Sequence, residues 1–557
     1  MKRNKRVLFS IYVHPESQKN VLDEEYSVDA IYDLWRGKPI VVSVSFRLSV
    51  RWGASSRIII PLWSSSSFMW KSSEDREVLG SLFLIQGEIL GGLSKYHPAC
   101  TLGFPSFTIR GLPWFSEFFH MIDPYIRSYM EYKVFGCKTN KYFTERWLSH
   151  EYLFGKSWFF IASCVVTDRA KAKWLKFALR IIHRLHKWEK LYLSGCGSLR
   201  NWNIDPRFYE IYHELSSFQD RIELLPEDPS TFGWEKTPRL REKIRSLRPL
   251  LRNAVFTRKY IVIQSWCDNF CTFCLTVQAR GRHRYREIPE IIREVREFEA
   301  TGWKEIVLTG TNLGAWGAES SNDFQASRFV DLLDAILMDT SIARIRISSL
   351  GVEFCTPRLL EFFSHPRVIA YAHLSIQAWS TRILEGMRRH YDGERVRSVL
   401  AWLRDVSRAD ALWINIWADI IVGFPGETEA DFLDTLALVE DFGISQLHVF
   451  PFSPHLEHYT VPASTFSDPV WAATIHTRFL RLVHAGERAR ETFSSRHIGR
   501  TLKVLMEKVD GSHFSWWSEN YLACSEKNFI PFPWQEILRG KVILGTYNGL
   551  CDPTMPE

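Results

Sequence analysis

The chain has 557 residues and a formal net charge of +7, from 70 basic and 63 acidic side chains. Its length exceeds what a single hydrophobic core supports, so we expect three or four domains. The mild positive charge is compatible with a nucleic-acid partner. No stretch of the sequence reaches the roughly eighteen apolar residues that a membrane span needs, so we expect no membrane partner. We expect a cytoplasmic protein, in which ten cysteines do not form a disulfide framework.

The first 130 residues are predicted only as a mixed α/β region. Segments 32–46, 79–81 and 109–120 bear a distant resemblance to the YbeY-type rRNA endoribonucleases, which chelate a metal with three histidines. The corresponding positions here carry Arg110, Trp114 and His120. One histidine does not hold a catalytic zinc ion, so we expect a degenerate region without activity.

Residues 131–228 alternate short apolar runs with helical stretches. Buried strands are predicted at 159–162 and 191–193, and a basic helix at 171–186. A polar linker with two prolines follows at 225–230. We therefore predict an α/β domain over 131–228.

From residue 260 onwards the alternation of strands and helices becomes regular. One helix is predicted at 288–300, and strands are predicted at 260–264, 305–308, 343–347, 372–376, 415–422 and 447–450. Strands that alternate with helices are parallel, so residues 250–485 are predicted to form a partial (β/α) barrel with its site at the carboxyl ends of the strands. Short strands with turns over 497–550 predict a small β-barrel, and the fold class is therefore α/β.

Three cysteines crowd together directly after the first predicted barrel strand. Cys267, Cys271 and Cys274 have the spacing C-x3-C-x2-C. Soft thiolates in so short a loop suit three irons of a [4Fe–4S] cluster, and the fourth iron then lacks a protein ligand and can bind a chelating molecule. The alternative is a zinc site, which usually needs a fourth ligand. No cysteine or histidine at a matching offset provides one.

The surroundings of this loop resemble the radical S-adenosylmethionine (SAM) methylthiotransferases. The loop itself matches at 264–286, and the likeness extends over 131–547 through the segments 309–312, 346–349 and 421–428, the last reading IVGFPGET. The resemblance implies reductive cleavage of SAM to a 5′-deoxyadenosyl radical, with flavodoxin or ferredoxin as electron donor. It also implies that SAM is contacted by Thr309, Gly310, Asn312, Ser348, Gln377, Asp419, Gly423 and Pro425.

Three isolated cysteines also fall inside motifs of that family. Cys137 lies in a GCKxN-like segment, Cys164 in a segment similar to TCTVT, and Cys196 in one similar to TGC. From their spacing alone each would be an ordinary buried thiol. The resemblance implies instead that they hold a second, auxiliary [4Fe–4S] cluster that carries the sulfur donor.

Members of the family modify isopentenyladenosine in tRNA, threonylcarbamoyladenosine in tRNA, or an aspartate of a ribosomal protein. Segments 308–315, 373–377 and 447–453 resemble the threonylcarbamoyladenosine branch. The predicted reaction is therefore addition of a methylthio group to C2 of N6-threonylcarbamoyladenosine at position 37 of tRNA. The other two substrates remain alternatives, as does a non-catalytic RNA-binding relative.

Basic side chains beside the cysteine loop predict contact with tRNA. A phosphate backbone held there would let an extruded base reach the radical, although a solvated basic face is the alternative. Segments 503–507 and 518–522 resemble a TRAM domain, a small RNA-binding barrel. The basic side chains are Arg280, Arg282, Arg284 and Arg286.

Tryptophan occurs 22 times and stands at several positions where the family carries glycine. Trp cannot replace a Gly that adopts a positive φ without strain. Some bacterial lineages read the codon UGA as Gly, and our hypothesis is that the sequence records such codons as Trp. Ordinary divergence with repacking is the alternative. The four positions are Trp266, Trp379, Trp417 and Trp516.

Overall fold

The computed structural model describes three strands between residues 22 and 68, and most of residues 131–549. Within the latter range the description omits 154–157, 187–188, 202, 233–255, 277–281, 456–460, 511–512, 534–536 and 538–540. The chain divides into two compact units, Met1–Pro113 and Trp114–Glu557. In the first unit, β1 (Leu22–Ile31), β2 (Ile40–Trp52) and β3 (Ser56–Phe68) form an antiparallel sheet. Arg110, Trp114 and His120 lie outside the described residues.

The second unit begins with a parallel four-stranded sheet in the order β4-β5-β6-β9. Its strands are β4 (Glu131–Val134), β5 (Trp158–Ser163), β6 (Lys190–Gly195) and β9 (Ile222–Leu224), with a small ribbon of β7 (Leu199–Arg200) and β8 (Asn203–Ile204). Its helices are α1 (Lys138–Leu148), α2 (Asp168–Ile182) and α3 (Phe208–Ile211). Both strands predicted in this region are present.

Helix α2 shows how the sequence builds this sheet. The side chain of Thr167 accepts a hydrogen bond from the backbone N–H of Ala170 and so caps the first turn. Trp174 and Ile181 lie on the buried face of the helix and pack with Phe159 and other strand residues. The basic helix predicted from 171 to 186 therefore begins three residues earlier and ends at Ile182.

The barrel consists of six parallel strands in two three-stranded sheets. Isolated bridges from Ile345 to Val368 and from Leu350 to Leu374 connect the two sheets. The strands are β10 (Lys259–Val262), β13 (Glu305–Thr309), β14 (Arg344–Ile347), β15 (Tyr371–Gln377), β16 (Asn415–Val422) and β17 (Gln446–Pro451). All six predicted strands are present, and a short antiparallel pair, β11 (Gln264–Ser265) and β12 (Arg284–Tyr285), flanks the cysteine loop.

Helices lie between the barrel strands and share one apolar core with them. Ile291, Val295 and Phe298 of the first of these helices pack with Ile261 and Ile306 of the strands. The predicted helix at 288–300 has the bounds that the sequence indicates. The helices are α4 (Ile288–Ala300), α5 (Phe329–Asp339), α6 (Pro357–Glu361), α7 (Thr381–Gly386), α8 (Gly393–Asp405), α9 (Glu429–Phe442) and α10 (Ala472–Ser495).

Two antiparallel three-stranded sheets lie in the region predicted as a small β-barrel. One contains β18 (Thr501–Leu505), β22 (Phe529–Pro531) and β23 (Val542–Tyr547), and the other β19 (Lys508–Asp510), β20 (His513–Trp517) and β21 (Ala523–Ser525). Tyr521 stacks on Tyr371 of the barrel with ring centroids 4.6 Å apart. The domain boundaries themselves stay predictions. No helix in the described part of the chain has the length and apolar character that crossing a bilayer requires.

Candidate active site

The loop that carries Cys267, Cys271 and Cys274, here called the loop trio, follows β11 and is fastened from two sides. The backbone N–H of Ser321 donates to Asp268 Oδ1 at 2.7 Å. On the other side, Thr272 Oγ1 donates to the backbone oxygen of Gly386 at 2.8 Å. Cys271 is buried, and the other two thiols are half-buried. The structure thus holds three thiols in one short, anchored loop at the carboxyl end of the barrel strands.

Burial of Cys267 and Cys271 disfavours their thiolate forms. Burial raises the pKa of Cys267 to about 12. Burial also raises the pKa of Cys271, although Arg389 Nη1 lies 3.4 Å from its sulfur. Metal binding therefore has to release protons, since only thiolates are strong ligands. Arg389 in turn contacts Glu353 Oε2 at 3.2 Å. Sequence reasoning missed both residues, because Arg389 stands in an ordinary charged run.

The loop after β13 is tied directly to the loop trio. The backbone N–H of Asn312 donates to Gln264 Oε1 at 2.8 Å, and the backbone N–H of Trp266 donates to Thr311 Oγ1 at 3.2 Å. A Cβ at Gly310 would lie 2.8 Å from the Gln264 carbonyl oxygen, so this close approach needs glycine. Asn312 Nδ2 is buried without a hydrogen-bond partner among the described residues. Such an orphaned donor fits a polar molecule bound beside the thiols.

The remaining residues predicted to contact SAM sit in or directly after the barrel strands. Thr309 ends β13, Gln377 ends β15 with a φ of +67°, and Ser348, Gly423 and Pro425 follow their strands. Parallel strands bring such positions to one rim, as the sequence predicts. Asp419 differs from them, because it lies within β16, three residues before its end.

Asp419 belongs to a polar cluster inside the barrel, which also contains Lys138, His373 and His448. Asp419 Oδ2 lies 3.0 Å from His373 Nε2, and Oδ1 accepts from His448 Nδ1 at 3.2 Å. Lys138 Nζ lies 3.4 Å from His373 Nδ1. Burial opposes ionisation of Asp419, but the two histidines hold its pKa well below the usual range. The sequence indicated His373 and His448 only as members of segments that resemble the family, and it predicted no role for either of them.

The other three predicted ligands, here called the strand-end trio, follow three neighbouring parallel strands. Cys137 comes after β4, Cys164 directly after β5 and Cys196 directly after β6. A hydrogen bond with Cys196, burial and the nearby Cys137 raise the pKa of Cys164. The structure therefore brings these thiols together, although 59 residues separate the first from the last (196 minus 137).

Two glycines give the strand-end trio its close packing. Gly136 has a φ of +88°, and a Cβ there would lie 2.5 Å from Cys164 Sγ. Gly195 has a φ of +91°, and its Cβ would lie 2.5 Å from the Ser163 oxygen. Asn140 Nδ2 donates to the backbone oxygens of Phe135 and Ser163, both at 2.8 Å, and joins two of the loops. A larger residue at either glycine would displace a cysteine loop.

The predicted RNA-binding arginines differ in their surroundings. Arg280 lies outside the described residues, whereas Arg282 and Arg284 are exposed. Arg286 is half-buried, and its Nη1 donates to Glu294 Oε2 at 2.8 Å and to the Val262 oxygen at 2.9 Å. The guanidinium group of Arg286 therefore makes these contacts within the barrel. A further exposed basic stripe runs along α2, the helix that the sequence predicted as basic without assigning it to RNA, through Arg169, Lys173, Lys176 and Arg180.

The four tryptophans of the glycine hypothesis differ in backbone conformation and in hydrogen bonding. Trp266 has a φ of +65°, a conformation that favours glycine. Trp417 is buried, and its Nε1 has no hydrogen-bond partner among the described residues. All four rings pack against other side chains. Trp266, Trp379 and Trp516 lie beneath the guanidinium groups of Arg284, Arg397 and Arg258, at 4.4, 4.9 and 4.9 Å, and Trp417 stacks on His373 with ring centroids 5.1 Å apart. The positive φ of Trp266 and the unpartnered Nε1 of Trp417 favour the hypothesis, and ring packing does not separate the four positions.

Comparison with known proteins agrees with this architecture. The model of the Radical SAM superfamily matches residues 261–439, which lie within the barrel. The threonylcarbamoyladenosine tRNA methylthiotransferase MtaB of Thermotoga maritima is 30% identical over 396 residues, covering 67% of this chain and 86% of that protein. The tRNA-2-methylthio-N(6)-dimethylallyladenosine synthase of Bdellovibrio bacteriovorus is 32% identical over 301 residues, covering 53% and 64%. The fold and loop trio therefore define a radical SAM enzyme.

The chain belongs to the radical SAM methylthiotransferase family and is MtaB-like. Among solved structures, the radical SAM methyltransferase TsrM of Kitasatospora setae is similar at 12% identity with a TM-score of 0.38, covering 58% of this chain and 68% of that one. A TM-score this low does not define a common fold, so the assignment depends on the sequence relatives. The family uses SAM and [4Fe–4S] clusters, and two all-sulfur donor sets with an orphaned amide beside one of them fit these groups.

Proposed function

We propose that this chain adds a methylthio group to C2 of N6-threonylcarbamoyladenosine at position 37 of tRNA. The observation that carries the proposal is the assembly of two separate cysteine trios within one compact unit. In this assignment the loop trio holds the cluster that binds SAM, and the strand-end trio holds the auxiliary cluster. When bound, these groups supply the electron that cleaves SAM and the sulfur that is transferred.

The residues around the loop trio position SAM. Asn312 and the backbone around Gly310 supply polar contacts beside the thiols, and Gln377 and Gly423 line the same rim of the barrel. Arg389 donates a hydrogen bond to the sulfur of Cys271 at 3.4 Å, while Glu353 balances its charge. A hydrogen bond donated to a ligand sulfur would favour reduction of the cluster, since reduction adds negative charge.

The threonylcarbamoyl branch is supported by the three segments that resemble it and by the extent of the similarity to MtaB, which covers 86% of that protein. The relatives also include enzymes named for dimethylallyladenosine, at 32% identity. Isopentenyladenosine is therefore the second candidate substrate. The two differ at the N6 substituent, which is anionic in one and apolar in the other.

Contact with tRNA is assigned to exposed cations on two sides of the site. Arg282 and Arg284 flank the cysteine loop, and the basic stripe of α2 lies on the helix that follows Cys164. Phosphate contacts from such side chains are independent of base sequence and weaken as salt rises. The TRAM-like barrel adds a further RNA-binding surface, and a flavodoxin or ferredoxin in the cytoplasm would supply the electron.

Anaerobic assays on defined substrates test this function. The protein, reconstituted with iron and sulfide and supplied with SAM and a reductant, is incubated with tRNA carrying either modified adenosine at position 37. Nucleoside mass spectrometry should show a methylthio group on threonylcarbamoyladenosine. Transfer to isopentenyladenosine alone would move the chain to the other branch. Binding of tRNA without any SAM cleavage would identify a non-catalytic RNA-binding relative, and transfer to a ribosomal-protein aspartate would identify a protein-modifying enzyme.

A further inference from the structure

The polar cluster lies where the first sheet of the second unit meets the barrel. Lys138 directly follows Cys137 of the strand-end trio and begins α1. His373, Asp419 and His448 come from the neighbouring strands β15, β16 and β17. The cluster therefore joins the segment proposed to carry the sulfur to the interior of the barrel proposed to bind SAM. A base that receives sulfur has to lie in this part of the molecule.

The cluster combines one carboxylate, Asp419, with two imidazole rings and the amine of Lys138. Asp419 already contacts both histidines, at 3.0 and 3.2 Å. Among the described residues no carboxylate forms an ion pair with Lys138, whose nearest polar partner is the ring nitrogen of His373 at 3.4 Å. Arg346 adds further positive charge nearby, and its own partner is Glu305 at 2.8 Å. Lys138 is therefore the basic group of the cluster that lacks an ion-pair partner among the described residues. Burial together with Arg346 lowers its pKa to about 7, so a bound carboxylate would restore its charge.

The accessibility of the cluster permits a ligand to reach it. The side chain of His448 is 35% exposed, whereas that of His373 is 6% exposed and forms the buried side. Lys138 is half-buried. An apolar group placed against Lys138 would remove water from its charge without replacing the lost hydrogen bonds. A carboxylate would replace them with charge-assisted ones.

We propose that Lys138, His373 and His448 form a subsite for the carboxylate-bearing end of the threonylcarbamoyl group. The proposal rests on the proposed function, because it takes threonylcarbamoyladenosine as the substrate. Lys138 donates to the carboxylate, and His448 forms the polar wall beside the threonyl part. Asp419 acts as a positioning residue that fixes both imidazole rings. The subsite distinguishes this substituent from an isopentenyl group, which carries neither charge nor hydroxyl.

Binding of short RNAs to the reconstituted protein tests the subsite. The probes are anticodon stem–loops whose position 37 carries threonylcarbamoyladenosine, its methyl ester, or isopentenyladenosine. The ester retains the shape of the substituent and removes its charge. We expect the wild-type protein to bind the charged form about tenfold to a hundredfold more tightly than the other two, as for hydrogen bonds to a charged group.

Four variants assign that preference to the cluster. Lys138→Met and His448→Leu should each reduce it to within about threefold. Lys138→Arg retains the charge and should retain the preference. Lys133→Met removes an exposed charge five residues earlier and should also leave the preference intact. His448 is remote in sequence from Cys137, so His448→Leu decides the matter even where Lys138→Met disturbs cluster loading. Iron content is measured for every variant.

The possible results separate this proposal from the proposed function. A wild-type protein that does not distinguish the acid from its ester, or a preference unchanged in either Lys138→Met or His448→Leu, overturns the subsite. A zinc ion bound by the wild-type protein and lost in His448→Leu also overturns it, because His373, Asp419 and His448 would then be metal ligands. A preference that depends on Lys138 without any methylthiolated product overturns the proposed function and leaves the subsite in place.

Discussion

The two cysteine trios reach the same chemistry by different routes. The loop trio lies within eight consecutive residues, so its spacing alone predicts a metal cluster. The strand-end trio has no informative spacing and becomes a site only because β4, β5 and β6 are adjacent and parallel. The loop trio therefore needs only one loop to fold, whereas the strand-end trio needs a sheet with the correct strand order. The two trios should respond differently to substitution.

The largest expected effect separates the roles of the two trios. Cys271→Ala should abolish SAM cleavage and lower methylthiolation by about a thousandfold or more, as loss of an essential group usually does. Cys164→Ala should abolish methylthiolation to the same extent and leave SAM cleavage intact, because it removes only the proposed sulfur-carrying site. Chromatographic quantification of 5′-deoxyadenosine and of methylthiolated nucleoside measures both reactions.

The control for this pair is Cys355→Ala, which removes a buried thiol outside both trios. It should retain both reactions. Loss of SAM cleavage in Cys164→Ala would show that the two trios do not act separately, and would contradict the division of roles between them.

A second prediction concerns the buried ion pairs of the barrel that carries the loop trio. Glu305 is buried and pairs with Arg344 at 2.7 Å and Arg346 at 2.8 Å. Glu305→Gln leaves both guanidinium groups without their counter-charge and should lower the free energy of unfolding by about 3–5 kcal/mol. Chemical denaturation measures the loss. Asp334→Asn, which breaks an exposed ion pair with Arg358, should cost about 1 kcal/mol or less.

The same residue gives a pH dependence with a defined sign. Burial opposes ionisation of Glu305, but Arg346, Arg344 and Arg258 hold its pKa at about 2, below the ordinary value of 4.5. A lowered pKa contributes stability that is fully present above the ordinary value and is lost as the pH falls through the folded value. The wild-type protein should therefore lose stability between about pH 4.5 and pH 2, and Glu305→Gln should lose less over that range. Equal losses in the two proteins would contradict this account.

A third prediction concerns the close packing of the strand-end trio. Gly136→Ala adds a Cβ that would lie 2.5 Å from Cys164 Sγ, at a φ of +88°. The auxiliary cluster should be lost, about four irons per chain, while SAM cleavage continues. Gly302→Ala is the matched control, because it has a φ of +86° and no atom within 4 Å of the added carbon. Normal iron content in Gly136→Ala would show that the trio tolerates rearrangement.

The smallest expected effect distinguishes the tryptophans. Trp266→Gly relieves a positive φ and should change the free energy of unfolding by about 1 kcal/mol or less. Trp379→Gly removes a ring that packs against the barrel core and Arg397, and should cost about 3 kcal/mol or more. Thermal denaturation compares the two variants. Peptide mass spectrometry of the native protein should find Gly at position 266, and Trp there would refute the codon hypothesis for that site.

Much of the fold follows from the sequence because its patterns are local. The strand 415–422 and the helix 288–300 have the predicted bounds, since each is a continuous run with a clear period. The helix predicted at 171–186 was displaced, because Thr167 provides an N-cap that the apolar pattern does not record.

The candidate site was less accessible to prediction where it depends on topology. In the sequence, Lys138 is 235 positions from His373 (373 minus 138) and 310 positions from His448 (448 minus 138). Nothing in their local sequence indicates that they meet. Arg389 and Glu353 are similar, since a buried ion pair against a cysteine requires knowledge of the barrel. Motif resemblance located the strand-end trio, and the sheet order explains it.

The measurement that most directly tests the two-trio account is the iron content and Mössbauer spectrum of the anaerobically reconstituted protein. We expect about eight irons per chain in two [4Fe–4S] clusters. Added SAM should change the Mössbauer signal of only one of the two clusters. A protein that takes up zinc, or that assembles a single cluster with the strand-end thiols still free to alkylation, would contradict this account.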